Sequence, residues 1–276
     1  MTLPRRAWSV ALAMALPLLA SSPSAWSQPV SVARVAYVEG FAERSGLESD
    51  WGVLEEGTVV QIGDRYRTGP GSRARIDFRW MSVAIDGESQ LSIPNAFLLS
   101  AELDHGRVEP YSPSGAMLKM VTAEASVRGS GRVVVRRRDG VTLVSVREGE
   151  FTVQRGVEEP VEVRAGHGLI VRAAGDLEVV ALAPPPEGLE PGRDPGYVRR
   201  GEPVALSWKG EPGMAYHIEL LGHTGEEVVL GRDVSGTGFP LAIPWEGTFQ
   251  WRVAAIGDEG LEGMPSAPGV VCIVDQ

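Results

Sequence analysis

The chain has 276 residues, 43% of them hydrophobic and 22% charged, with a formal net charge of −10. That is ordinary globular usage, long enough for two domains at roughly 100–200 residues each, and it excludes a disordered or membrane-packed chain. A single cysteine, Cys272, excludes an intrachain disulfide, a multi-cysteine zinc site and an iron–sulfur centre. Thirty-four glycines and twenty prolines imply many turns and favour short strands over long helices.

At the N-terminus Arg5 and Arg6 precede the uncharged, largely apolar stretch 7–20, and the small-residue run 21–27 follows. This is the order of an export signal, expected to occupy 1–27 and to be cut after Ser27. Fourteen residues rise about 21 Å, short of a ~30 Å hydrocarbon core, so a signal is favoured over an anchor. The Arg5-Arg6 pair also fits a twin-arginine signal, but basic residues open most ordinary signals, and the Sec-type reading is preferred. No later stretch reaches ~18 apolar residues, so no membrane span is expected after cleavage, and the expected address is periplasmic, or secreted to the outer surface.

Removing Arg5 and Arg6 leaves 24 basic against 36 acidic residues, which argues against a nucleic-acid partner. One basic cluster, Arg128, Arg132 and Arg136–Arg138, runs into Asp139-Gly140, a tight hairpin turn between apolar segments. The expectation there is a solvated hairpin tip.

Short Val- and Ile-rich segments follow one another at 30–38, 58–62, 74–78, 82–85, 90–93, 133–135, 141–146, 150–154, 161–163 and 168–171, most closed by Gly, Pro or Asp-Gly. Residues 28–183 therefore read as an all-β domain of about ten short strands. Residues 184–196 hold five prolines and three glycines and read as a stiff linker. In 197–276, alternating runs around Trp208, Tyr216 and Trp251, with turns every 8–12 residues, read as a β-sandwich of about seven strands with those aromatics in its core. This second part is acidic, with 6 basic against 14 acidic residues from 184 onward. Cys272, inside Val-Val-Cys-Ile-Val, is expected to be a buried small hydrophobe.

The run Trp51-x-x-Leu54-x-x-Gly57-x-x-Val60-x-x-Gly63-Asp64-x-x-x-Thr68-Gly69-x-x-Ser72-x-Ala74-x-Ile76-x-Phe78 resembles the opening of the FecR domain, the periplasmic module of iron-dicitrate sensor proteins. The resemblance continues through Gly106, then Val127-Arg128-Gly129-Ser130, then Glu148-Gly149-x-Phe151 and finally Ala165-Gly166-His167, and it covers nearly all of 32–173. It implies a β-roll or solenoid-like domain whose motif is structural: glycines for turns, Asp64 and Ser72 for bonds to backbone amides, Val127 for the core. The chain departs from the pattern at Arg79-Trp80-Met81-Ser82, where a turn change would expose a Trp, and at Gly131-Arg132. Signalling members carry a sigma-regulating segment and a membrane helix ahead of the domain; the 27 residues here leave no room for either, so a transmembrane sensor role is not expected. Leu206-x-Trp208 and Trp251-Arg252-Val253 resemble a fibronectin type III module.

Chemistry-bearing motifs are sparse. His105, His167, His217 and His223 stand apart, without His-Glu-x-x-His and without evident carboxylate geometry, and no Gly-x-Ser-x-Gly or phosphate-loop motif occurs. Thirty-six acids always offer some carboxylate pair, which carries no specificity. No catalytic, cofactor or metal residues are expected. The sequence points to a non-enzymatic exported protein that binds an envelope protein; the alternative is a carbohydrate-binding protein for cell-wall or exopolysaccharide glycan, using Trp80, Trp51 or Trp245.

Overall fold

Alternating apolar and polar side chains put one face of each segment toward a core, and the computed structural model is accordingly all-β. It describes residues 33–275 apart from 48, 96–99, 114 and 223–227; the export signal lies outside the described residues. Fourteen strands precede the proline-rich segment: β1 (Ala33–Glu39), β2 (Ala42–Ser45), β3 (Gly52–Val53), β4 (Arg65–Thr68), β5 (Arg73–Phe78), β6 (Ser82–Ile85), β7 (Gln90–Asn95), β8 (Ser100–Ser112), β9 (Leu118–Val121), β10 (Ser126–Arg138), β11 (Val141–Gln154), β12 (Val161–Arg164), β13 (His167–Val171) and β14 (Val179–Ala181). Eight more lie within or after it: β15 (Glu187–Glu190), β16 (Gly196–Arg199), β17 (Pro203–Lys209), β18 (Ala215–Leu221), β19 (Val228–Ser235), β20 (Gly238–Ala242), β21 (Gly247–Ile256) and β22 (Gly269–Val274).

The first fourteen form one hydrogen-bonded sheet, ordered β14-β13-β11-β10-β9-β8-β7-β4-β2-β3, with β1-β5-β6 joined through β8 and β12 beside β11. It curls around an apolar core that includes Val35, Tyr66, Ile76, Ile85, Val108 and Phe151. The others make a three-stranded sheet, β15-β17-β20, and a five-stranded sheet, β16-β22-β21-β18-β19, which share a second core around Trp208, Tyr216 and Trp251. Trp208 meets Tyr216 edge-on at 5.2 Å, and the Trp251 indole N–H donates to the Pro191 carbonyl at 3.0 Å.

Several elements differ from the pattern read in the sequence. Instead of separate pieces, β10 and β11 are strands of 13 and 14 residues running through Gly129, Gly131 and Gly149. Gly131 faces Gly149 across the ladder, and a Cβ on either would collide with the opposite backbone, so the pair can bend, with a register shift at Arg132/Val133, without stopping. The 58–62 segment makes only one bridge, Arg34 with Val59. β4 was hidden by its composition, Arg-Tyr-Arg-Thr, in which only Tyr66 and Thr68 face inward. Cys272 is half-buried: Val271 and Ile273 point into the core, and Cys272 points to the other face, with Sγ 3.4 Å from Thr248 Oγ1. Within the proline-rich segment, β15 pairs with β17, Gly196 begins a strand parallel to β22, and Gly192 accepts from the Val270 amide. Residues 31–276 make up one compact unit.

Candidate functional site

The motif residues read in the sequence lie in turns and core. Gly57, Gly63, Gly106, Gly149 and Gly166 have positive φ; Gly69 and Gly129 do not. Asp64, buried, accepts from the Gln61 amide at 2.7 Å, the Tyr66 hydroxyl and Arg44. Ser72 Oγ accepts from the Phe41 amide at 2.8 Å, Thr68 Oγ1 donates to the Asp86 carbonyl, and Val127 is fully buried. Of the three tryptophans proposed for glycan stacking, only Trp80 is exposed, at 51%. Arg67 lies over the Trp51 ring at 4.3 Å, and Trp245 packs on Phe249 against the second core.

The densest chemistry lies where the five-stranded sheet meets the large one. Strand β18 is buried on both faces: Tyr216, Ile218 and Leu220 enter the second core, while His217 and Glu219 turn toward the first fourteen strands. On the large sheet, Arg107 and Glu109 of β8 and Arg147 of β11 are equally buried. Arg107 donates to Glu262 through Nε at 2.7 Å and Nη2 at 2.8 Å, and to Asp86 through Nη1 at 2.5 Å. Arg147 binds Glu109 at 2.9 Å, Glu219 and Glu262; Arg252 of β21 binds Glu219 and lies 3.5 Å from Glu109. Arg136 holds Asp233 in a two-pronged pair at 2.6 and 3.1 Å, and His217 Nδ1 lies 2.6 Å from the same carboxylate.

The charges are complementary across the seam. The large sheet supplies Arg73, Arg107, Arg132, Arg136 and Arg147 against Asp86 and Glu109; the other side supplies Glu219, Asp233 and Glu262 against Arg252. Burial alone would raise the Asp86, Glu219 and Glu262 carboxyls, but the guanidiniums outweigh it and hold all three below the ordinary carboxylate range. Such a network is weak evidence for net stability, because desolvation offsets attraction, but mismatched pairing leaves a bare buried charge, so it fixes one docking geometry.

Two sequence expectations change here. The hairpin at Asp139-Gly140 forms, with both residues at positive φ, but only Arg138 of Arg136–Arg138 is a solvated tip. Arg136 and Arg137 are ion-paired, to Asp233 and Glu124, and Arg132 packs on Tyr111 and pairs with Glu109. His217, which spacing set apart from any carboxylate, sits among Asp86, Glu219 and Asp233. His217, Glu219 and Glu262 have metal-ligand spacing, with atoms within 4.8 Å of one another. Arg107 and Arg147 already occupy both glutamates, however, so a cation there would face guanidiniums, and the trio fits a salt-bridge node better than a metal centre.

A cavity of about 670 Å³ opens beside this network, with walls from both sides of the seam. Gly231 of β19 is part of its lining, and a Cβ there would collide with the Arg73 guanidinium and come within 3.2 Å of Asp86 Oδ1 and His217 Nε2. A side chain at this position would displace the Arg73 guanidinium from beneath β19. Further grooves on the large sheet include one of about 620 Å³ along Leu47 and Val53 and one of about 350 Å³ beside Trp80 and Tyr111.

Neither family models nor curated proteins match the chain. Solved structures similar to it include a proposed anti-sigma factor from Parabacteroides distasonis, 17% identical with a TM-score of 0.37, the match covering 42% of this chain and 59% of that one. Another is the extracellular domain of a proposed one-component system from B. thetaiotaomicron, 9% identical with a TM-score of 0.22 over 80% of this chain and 36% of that one. A third is dimeric latent PorU from Porphyromonas gingivalis, 12% identical with a TM-score of 0.24, covering 88% of this chain and 29% of that one. The chain thus spans less than two thirds of each of these relatives, and at such identities and TM-scores they assign it no function.

Proposed function

We propose that this chain is a non-enzymatic exported protein that acts as a rigid scaffold, binding a partner protein of the cell envelope through the open end of its large sheet. The observation that carries this reading is at β3. This two-residue strand ends the sheet and, among the described residues, pairs only with β2, and Val53 on it is 74% exposed. Leu47, 80% exposed, lines the same groove. Apolar side chains beside an unpaired edge are the features that strand addition by a partner uses. The resemblance of 32–173 to FecR domains and the export signal support the envelope address, and the docked second part supplies rigidity.

The glycan reading keeps one observation in its favour, the exposed Trp80 beside Tyr111 in a groove. A binding comparison separates the two. The expected result is a stoichiometric partner, cross-linked from envelope extract by the wild type and lost with Leu47→Asp plus Val53→Lys, while co-sedimentation with peptidoglycan stays at background. Co-sedimentation that Trp80→Ala abolishes, with no protein partner, would favour the glycan reading instead.

A further inference from the structure

We propose that the cavity at the seam binds a small oxyanion, a molecule carrying phosphate or carboxylate groups. His217, only 2% exposed, is part of the lining, but its ring is turned to carboxylates: Nδ1 to Asp233, and Nε2, which makes no hydrogen bond, to Asp86 at 3.5 Å and Glu219 at 3.7 Å. Arg136, also on the wall, has a buried Nε without an acceptor. Behind Gly231, Arg73 is 1% exposed, and its one ion pair is to Asp86, which it shares with Arg107; its Nε and Nη2 have no acceptor. At the rim, exposed Arg232 reaches toward Gly71 of the large sheet and makes no ion pair among the described residues.

The carboxylates on the wall are mostly spent. Asp86 is held by Arg73 and Arg107, Asp233 by Arg136 and His217, and Asp139 by Arg138; Glu88 stands exposed at the mouth. What is left over on the wall is the buried Arg136 Nε donor, with the spare donors of Arg73, outside the lining, behind Gly231. Buried donors find acceptors, and guanidinium and imidazole donors bind charged oxygens best. An apolar ligand would satisfy none of the guanidinium donors. The volume exceeds that of one phosphate, so a ligand with two anionic groups fits, one against the free Arg136 Nε and the other against Arg232. Both sides of the seam contribute these groups, so the site exists only while they are docked.

The test is calorimetric titration of the full chain with inorganic pyrophosphate and, separately, with succinate, at constant ionic strength set with chloride. The expected result is saturable 1:1 binding of at least one probe, and the stronger of the two tells a phosphate from a carboxylate ligand. Arg232→Gln, at an exposed position that leaves the fold intact, should weaken binding at least tenfold; Lys209→Gln, which is not part of the cavity lining, should not. Absence of saturable binding by either probe, or unchanged affinity in Arg232→Gln, would overturn the proposal.

Discussion

Arg107→Met is expected to lower folding stability by about 3–5 kcal/mol in urea or guanidinium denaturation, the cost of leaving a buried ion partner uncompensated. Arg107 touches Asp86, Glu109, Glu219 and Glu262, and its removal takes one guanidinium from each of these buried carboxylates, on both sides of the seam at once. Methionine fills most of the volume but offers no donor, so the loss comes from charge and only slightly from packing. Arg138→Ala, at the solvated hairpin tip paired only with exposed Asp139, should stay within about 0.5 kcal/mol of wild type. Adding Glu262→Gln to Arg107→Met should cost less than the sum of the two single changes, because the residues share one network. Equal, small losses at Arg107 and Arg138 would mean that the network is not as buried as described.

Acid should undo the same network, and the second large effect is a steep loss of stability as pH falls below about 4.5. Asp86, Glu219 and Glu262 have folded-state pKa values below their ordinary ones, because the guanidiniums of Arg107, Arg147, Arg252 and Arg73 outweigh the opposing effect of burial. A carboxyl whose pKa is depressed on folding contributes stability that is complete above its unfolded value and disappears as pH falls toward the folded one. Each such group adds a slope of up to roughly 1.4 kcal/mol per pH unit within that window. Denaturation midpoints measured from pH 7 to pH 3 should therefore be flat above about 5 and fall steeply below. Arg107→Met should show a shallower acid limb, since its carboxyls are less depressed.

What the sequence made legible follows from where each side chain points. Cores built on alternation were readable: Ile76, Val83 and Ile85 fall inside strands read at 74–78 and 82–85, and Trp208, Tyr216 and Trp251 are buried together. Asp139-Gly140 marked its hairpin because the turn type demands positive φ. Strands that expose charge, such as β4, escaped because only two of their side chains enter the core. The network escaped for a deeper reason: His217, Glu219 and Arg252 occupy the polar positions of alternating strands, which in a single sandwich would face water. One signal was present. In the stretch Tyr216-His217-Ile218-Glu219-Leu220-Leu221 only two polar residues stand among apolar ones and the run ends on two leucines, and on β8 Arg107-x-Glu109 places opposite charges on one face. Recognising that these strands face each other needed the tertiary fold, since Arg107 and Glu262 lie 155 residues apart.

The scaffold account depends on the two cores behaving as one body, and unfolding followed by two probes tests this most directly. Tryptophan fluorescence in a Trp51→Phe, Trp80→Phe background, which leaves Trp208, Trp245 and Trp251 in the second part, reports the second core, and hydrogen exchange of β8, β10 and β11 reports the first. The account predicts coincident transitions for the wild type, separating in Arg107→Met as the seam weakens. Separate transitions already in the wild type at neutral pH would contradict it.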